Sequence, residues 1–209
     1  MNTKLQELIK KKDITRSIRQ TLKNYIRINP NPESLIPIEN NYSYFGGVPY
    51  LIEGESYPTN VNGNHLQLLI QLNLDGLEVD NANGLLQIFI DPFDKMYGMN
   101  TSNPNSQENF RVKYYPNIDN KNVVTDFEFL IDDRFREGYR SFFDKQFEVM
   151  NFDLTPKRMP VTPTDYHFEL MLPELSFTTN FEGYEDYDAN AIKSGHRFGG
   201  YPNSPQSWL

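Results

Sequence analysis

The chain has 209 residues, 38% hydrophobic and 14% aromatic, and a formal net charge of −8. This length can bury a core in one large domain or two small ones, and the lack of cysteine excludes disulfide and thiolate chemistry. Residues 1–27 carry +6 and the remaining residues −14, so we expect the body to repel nucleic acid and anionic membranes.

The composition favours sheet over a helix bundle. The chain has 15 Phe and 13 Tyr, while alanine stands only at Ala82, Ala189 and Ala191. Aromatic residues suit the half-buried faces of strands. The opening stretch MNTKLQELIKKKD has no apolar signal region, and no run approaches the roughly 18 apolar residues of a membrane span. The sequence therefore predicts a soluble cytoplasmic protein.

Residues 1–29 are predicted to form two N-terminal helices. The first has an apolar stripe at Leu5, Leu8 and Ile9, and Asp13 is expected to cap the second. The second stripe follows helical spacing at Ile14, Ile18, Leu22, Tyr25 and Ile26. We expect this basic, amphipathic region to dock onto the sheet. Contact with nucleic acid or lipid is the alternative.

A glycine corner follows a Pro- and Asn-rich linker. Gly46 and Gly47 allow positive φ and close backbone approach, and Pro49 fixes the direction in which the chain leaves. A glycine pair can also hold a phosphate, but that function needs a helix N-terminus next. Here an extended run follows, and neither nucleotide-binding glycine motif is present.

Two strands are predicted at residues 66–74 and 85–90. The first alternates Leu and Ile with polar residues, and the second is a nearly continuous apolar run typical of a central strand. Gln71 and Gln87 are the polar exceptions. We expect their amides to bond neighbouring backbone, with ligand recognition as the weaker alternative.

Residues 91–109 form a polar loop. Asp91 and Asp94 could supply two metal ligands, but a turn at the end of a strand explains them better. Further strands are predicted at 110–116, 125–131 and 146–154, which completes a first sheet unit over residues 43–154. Residues 132–144 are charged and aromatic and are expected to form a loop or short helix.

The last part of the chain is predicted to start a second unit over residues 162–209. Thr162 is expected to cap a helix that runs to about Leu172, and the acidic run at 181–193 to form a solvated short helix without calcium-loop spacing. FGGYP at 198–202 then repeats FGGVP at 45–49. The match predicts a duplicated α+β unit whose second copy is incomplete.

The runs SYFGGVPYL, LQLLIQLNL, GLLQIFID, MPVTPTDYHFEL and HRFGGYPNSPQ resemble the YwqG-like family, a domain family of unknown function. The resemblance spans most of the chain. It implies a pseudo-duplicated α+β fold built on antiparallel sheet. With the helices predicted from the N-terminal stripes, the expected fold class is N-terminal helices packed on antiparallel sheet, as a pseudo-duplicated unit whose second copy is truncated. The resemblance also implies that the chain would continue past Gln206 and that Trp208 replaces a more usual aspartate. Residues matching the family signature, all expected to be structural, are Gly46, Gly47, Pro49, Gln71, Gln87, Gly199, Gly200 and Pro202.

The functional prediction is a protein-interaction module with no catalytic residues, metal or cofactor. The acidic surface and numerous tyrosines suit a basic protein partner, as for an immunity protein against a nuclease-type toxin. One alternative is an enzyme or small-ligand binder, with Ser or Thr beside His65, His167 or His196, although neither a nucleophile elbow nor a zinc motif is present. A truncated paralogue without activity is the other.

Overall fold

A computed structural model describes residues 14–33, 42–79, 82–103, 105–141, 143–173 and 195–202. The chain divides into two units, which we call the terminal unit and the central unit. The terminal unit comprises Met1–Asn29, Glu78–Asn81 and Leu154–Leu209; the central unit comprises Pro30–Leu77 and Ala82–Asp153.

Strands make up most of the described secondary structure. In chain order the elements are α1 (residues 14–20), β1 (Lys23–Pro30), β2 (Tyr44–Gly46), β3 (Gln67–Asn73), β4 (Leu85–Ile90), β5 (Phe110–Tyr115), a 3-10 helix (Glu128–Leu130), α2 (Asp133–Arg136), β6 (Val149–Met159), α3 (Phe168–Met171) and β7 (His196–Gly199).

The central unit is an antiparallel sheet in the order β5-β4-β3-β2, and β2 pairs next with the first residues of β6. The register aligns Tyr44, Gln71, Gln87 and Lys113 in one row across four strands. Both glutamines are fully buried. The buried apolar side chains beside this row form two clusters, which are Tyr44, Leu66, Leu68 and Phe89, and Tyr50, Leu85 and Tyr115.

In the terminal unit, β1 pairs with β7, and Tyr25 lies opposite Gly199 in the register. A separate apolar core consists of Ile14, Met159, Val161, Phe168, Leu172 and Tyr201. The Tyr201 hydroxyl donates a 2.6 Å hydrogen bond to the carbonyl of Thr21, at the end of α1. This bond ties the residue after the second glycine pair to the beginning of the unit.

The predicted fold class, with N-terminal helices packed on a sheet, is wrong. Helix α1 ends after residue 20, and Lys23–Pro30 is strand β1. Ile26 and Ile28 are both buried with Arg27 between them, which is the period of a strand. Two β-branched residues at that spacing outweigh the helical stripe, since they favour extended backbone. Residues 1–13 lie outside the described part of the chain.

Three more predicted elements differ from the structure. Residues 125–131 hold a 3-10 helix rather than a strand, and β6 begins at Val149 and continues to Met159. The helix expected from Thr162 shrinks to Phe168–Met171, because the preceding residues form turns. The strands predicted at 66–74, 85–90 and 110–116 are confirmed as β3, β4 and β5. The acidic run at 181–193 is not among the described residues.

Candidate functional site

An open cleft of about 410 Å³ lies in the central unit. One wall is the turn that leads into β3, and the other runs from the end of the 3-10 helix through α2. The lining residues are Gly63, Asn64, His65, Leu130, Ile131, Asp132, Asp133, Arg134 and Glu137. Most of this lining is polar, so the cleft is suited to charged or hydrogen-bonding groups rather than apolar ones.

Asn60 fixes the turn that carries His65. Its Nδ2 donates a 2.8 Å hydrogen bond to Oδ2 of Asp91, and its Oδ1 accepts from the backbone N–H groups of Asn62 and Asn64. Asn60 and Asp91 are both buried, so these bonds are shielded from water. The turn is therefore a rigid wall of the cleft.

His65 stands between two aromatic rings. The ring centroids of Tyr57 and Phe129 lie 5.4 and 5.5 Å from the imidazole centroid, each edge to face. Tyr57 is itself anchored, because its hydroxyl donates to the carbonyl of Leu66 at 2.9 Å. These contacts orient an imidazole that is still exposed at the rim of the cleft.

Asp132 and Arg134 form an ion pair at the start of α2. Arg134 Nη2 donates to Asp132 Oδ2 at 2.6 Å, and Arg134 Nε donates to Oδ1 at 3.0 Å. Asp132 also caps the helix by accepting from the backbone N–H of Arg134. Hydrogen bonds from Arg134 hold the pKa of the Asp132 carboxyl below its ordinary value, and the same pairing raises the pKa of Arg134.

Two further groups brace this pair. Gln146 donates to the carbonyl of Leu130 at 2.6 Å and accepts from the N–H of Asp132 at 3.0 Å, so it holds the segment before α2. The guanidinium carbon of Arg134 lies 4.2 Å from the ring centroid of Phe93, a cation–π contact. The guanidinium is therefore fixed in direction and in plane.

The cleft is acidic. Its described lining includes the carboxylates of Asp132, Asp133 and Glu137 and one guanidinium, that of Arg134. Asp133 is paired with Arg136 at 3.2 Å, but both side chains are largely exposed and the pair is weak. Among the described residues, no side chain bonds the carboxylate of Glu137. Such a lining attracts a cationic group.

The other predicted histidines lie in the terminal unit. His167 Nδ1 is 3.3 Å from Asp165 Oδ1, and its ring stacks on Tyr166. His196 begins β7 and is aligned with Ile28 of β1. Of the residues that the structure describes, no Ser or Thr lines the cleft with His65, so none of them supplies the nucleophile expected of an enzyme there. Within the described ranges, no three His, Asp or Glu residues are grouped to hold a metal ion.

Gln71 and Gln87 have the structural role that the sequence predicts. Gln71 Oε1 accepts from the N–H of Tyr50 at 2.9 Å and from Gln87 Nε2 at 2.7 Å. Gln87 Nε2 also donates to the carbonyl of Tyr50 at 2.7 Å. The two amides thus hold the Tyr50 backbone over the sheet. Among buried side-chain atoms in the described part of the chain, Gln87 Oε1 alone has no hydrogen-bond partner.

Asp91 and Asp94 organise the turn that ends β4. Asp91 Oδ1 accepts from the N–H of Phe93, and Asp94 accepts from the N–H groups of Met96 and Gly98. The prediction of a strand-end turn is confirmed.

The two glycine pairs have similar, positive φ angles. Gly46 and Gly47 have φ of 68° and 71°, and Gly199 and Gly200 have φ of 78° and 77°. The N–H of Gly47 donates to the carbonyl of Glu148 at 3.0 Å, so it is not directed at a phosphate. Pro49 and Pro202 each follow their glycine pair by one intervening residue. That the corners arose by duplication stays a prediction.

Sequence reasoning named His65 but missed the residues opposite it. Asp132, Arg134 and Glu137 fall in the segment predicted as a loop or short helix, and Gln146 in a predicted strand. One local signal was present, since Asp132 followed by Asp133 offers a capping residue and an acidic residue for the first turn of a helix. The contact between residues 63–65 and 130–137 has no such signal.

Comparison with known proteins gives a family but no activity. No curated protein matches the chain. Among the described residues, no helix is long and apolar enough to cross a membrane. Residues 43–208 match the model of a family described as a domain of unknown function, DUF1963. That match covers well over half of the chain, and the protein belongs to the DUF1963 family.

Proposed function

We propose that this protein is a binding module whose acidic cleft receives a Lys or Arg side chain of a basic protein partner. The observation that carries the proposal is the cleft lining of three carboxylates, of which Glu137 has no partner among the described residues. An unpaired carboxylate in a concave site gains a charge-assisted hydrogen bond when an ammonium or guanidinium enters.

The charge of the whole chain supports the same partner. Residues 28–209 carry a net charge of −14, which accelerates encounter with a basic protein and opposes binding to nucleic acid or anionic membrane. The walls of the cleft are fixed by Asn60 and Gln146 through short hydrogen bonds. A preformed site avoids part of the ordering cost of association.

The experiment uses a fluorescent peptide that alternates lysine with glycine, with a glutamate–glycine peptide of equal length as its counterpart. We expect anisotropy titrations at low salt to show binding of the lysine peptide only. Glu137→Gln should weaken that binding about fivefold to tenfold, because a charge-assisted bond is lost. Raising the salt concentration should weaken it further.

Glu53→Gln is the matched control, because Glu53 is an exposed carboxylate of the central unit that does not line the cleft. Equal affinities for the two glutamine variants would place the contact elsewhere on the acidic surface. No binding of the lysine peptide to the unsubstituted protein would remove the proposal.

Two finer assignments belong with this proposal. Within DUF1963 we assign the chain to the YwqG-like proteins, on the glycine corners at Gly46 and Gly199 and the strand motifs that include Gln71 and Gln87. We also place the protein in the cytoplasm, where a chain without cysteine has no need of an oxidising environment.

A further inference from the structure

The guanidinium of Arg134 is held by both an ion pair with Asp132 and a cation–π contact with Phe93. A guanidinium has five N–H donors, and Asp132 engages the edge formed by Nε and Nη2. The ring of Phe93 lies 4.2 Å from the guanidinium carbon and covers one face. Both the direction and the plane of the group are set before any ligand arrives.

The second edge of this guanidinium is open. Within the described part of the chain, Arg134 Nη1 makes no hydrogen bond, and the side chain is 28% exposed where it lines the cleft. A guanidinium can pair with two carboxylates, one at each edge, since its donors lie in a planar fork. Asp132 occupies the first edge, which leaves the second for a ligand carboxylate.

Glu137 carries the opposite charge and lies about one helical turn after Arg134. Glu137 is three residues after Arg134, so the two side chains share one side of the segment. No ion pair joins them among the described residues, because Arg134 is committed to Asp132. The cleft thus offers an anion-binding edge on Arg134 and a cation-binding carboxylate on Glu137, three residues later in the chain.

We propose that the basic residue recognised by the cleft is the C-terminal residue of its partner. Arg134 would receive the α-carboxylate, and Glu137 the side-chain cation. This inference rests on the proposed function, to which it adds recognition of the partner's C-terminal α-carboxylate. An internal lysine or arginine has no such carboxylate and would leave the open edge of Arg134 to water. A cleft of about 410 Å³ is of a size for one residue and its neighbours.

The test compares two peptides by isothermal titration, acetyl-Gly-Gly-Ser-Lys with a free C-terminal carboxylate and the same peptide as its amide. We expect the free acid to bind about tenfold more tightly, as one added charge-assisted contact gives. General electrostatics predicts the reverse order, because the protein is acidic and the free acid carries one more negative charge. The sign of the affinity difference between the acid and the amide therefore distinguishes recognition of the carboxylate from general electrostatics.

Variants assign the preference to its residue. Arg134→Gln should abolish the tenfold difference between acid and amide, and Glu137→Gln should weaken both peptides by the same factor. Arg134→Lys, which keeps the charge without the fork, should retain part of the preference.

The failures are distinguishable. Equal affinities, or tighter binding of the amide, would overturn the C-terminal assignment and leave recognition of a basic side chain in place. A preference that survives in Arg134→Gln would overturn the role of Arg134. Binding of neither peptide would overturn this inference and the proposed function together. Since the peptide comparison uses the unsubstituted protein, it holds whether or not a variant folds.

Discussion

Single residues decide how the chain between β2 and β3 is held. Gln71 accepts a hydrogen bond from the N–H of Tyr50, and Gln87 donates one to the carbonyl of the same residue. A buried amide can meet both needs of a peptide group, which an apolar side chain cannot. The two glutamine side chains therefore satisfy the backbone N–H and carbonyl of Tyr50, as the hydrogen bonds of a neighbouring strand would.

Replacing Gln71 should expose this dependence. We expect Gln71→Leu to lower the free energy of unfolding by on the order of 3 kcal/mol, because the buried N–H of Tyr50 loses its partner. Gln87→Leu should cost less, since it also removes the unpartnered Oε1. Urea denaturation measures both, with the exposed Gln20→Leu as control. An equal or larger loss for Gln87→Leu would contradict this ranking.

Asp132 should make stability depend on pH. Its folded pKa is lowered by the hydrogen bonds from Arg134, so its contribution is present above the unfolded pKa near 3.8 and is lost as pH falls through the folded value. We expect Asp132→Asn to lower the free energy of unfolding by about 1 kcal/mol at neutral pH, given its partial exposure. That difference should vanish at strongly acidic pH.

Urea unfolding of the protein and the variant from pH 7 to pH 2 measures this difference. Asp144→Asn is the control, since that exposed carboxylate has no hydrogen-bond partner among the described residues. If the difference in free energy of unfolding between the unsubstituted protein and Asp132→Asn stays constant from pH 7 to pH 2, the stabilising role of the Asp132–Arg134 pair is contradicted.

Among the elements, the turn after β2 depends on glycine for two separate reasons. Gly46 has φ of +68°, and a Cβ added there would collide with the carbonyl oxygen of Glu148 on the chain entering β6. Gly54 also has positive φ, but a Cβ there would meet nothing within 4 Å. An alanine at either position would have to adopt an unfavourable positive φ, but only an alanine at Gly46 would also collide with a neighbouring atom.

Gly46→Ala should therefore destabilise the protein by at least about 2 kcal/mol more than Gly54→Ala. The comparison uses thermal or urea unfolding of both variants. Similar losses would show that the chain entering β6 moves away freely.

The elements also show where a sequence pattern can mislead. Ile14 and Ile18 fit helical spacing with Leu22 and Ile26, yet Ile26 also alternates with Ile28. Ile26 therefore fits both a helical and a strand spacing, and its pairing with β7 shows that the strand forms. The strands β3, β4 and β5 are predictable because each carries its own apolar pattern, whereas Glu128–Leu130 follows a strand pattern and forms a 3-10 helix.

At the scale of the whole molecule, the sequence defines the acidic charge and the family but not the cleft. His65 and Asp132 are far apart in the chain, and their approach depends on Asn60 reaching Asp91 and Gln146 reaching Leu130. Hydrogen bonds between side chains and distant partners leave no periodic trace. The cleft is therefore a product of tertiary structure, and only its individual charges were visible beforehand.

The sheet of the central unit ends at β5, beyond which no described strand pairs. An edge strand offers backbone N–H and carbonyl groups to another copy of the chain, although the N–H of Val112 already donates to Gln107 Oε1 at 3.2 Å. Val112 and Tyr114 are exposed along this edge. Arg111 and Lys113 alternate with them. Lys113 is paired with Glu55 at 2.7 Å, so the charge that opposes self-assembly at this edge is that of the exposed Arg111. We expect Arg111→Val to aggregate on warming, as measured by light scattering, while the exposed Arg136→Val stays dispersed. We therefore expect colloidal solubility to depend on the positive charge of Arg111, even though the net charge of the chain is negative.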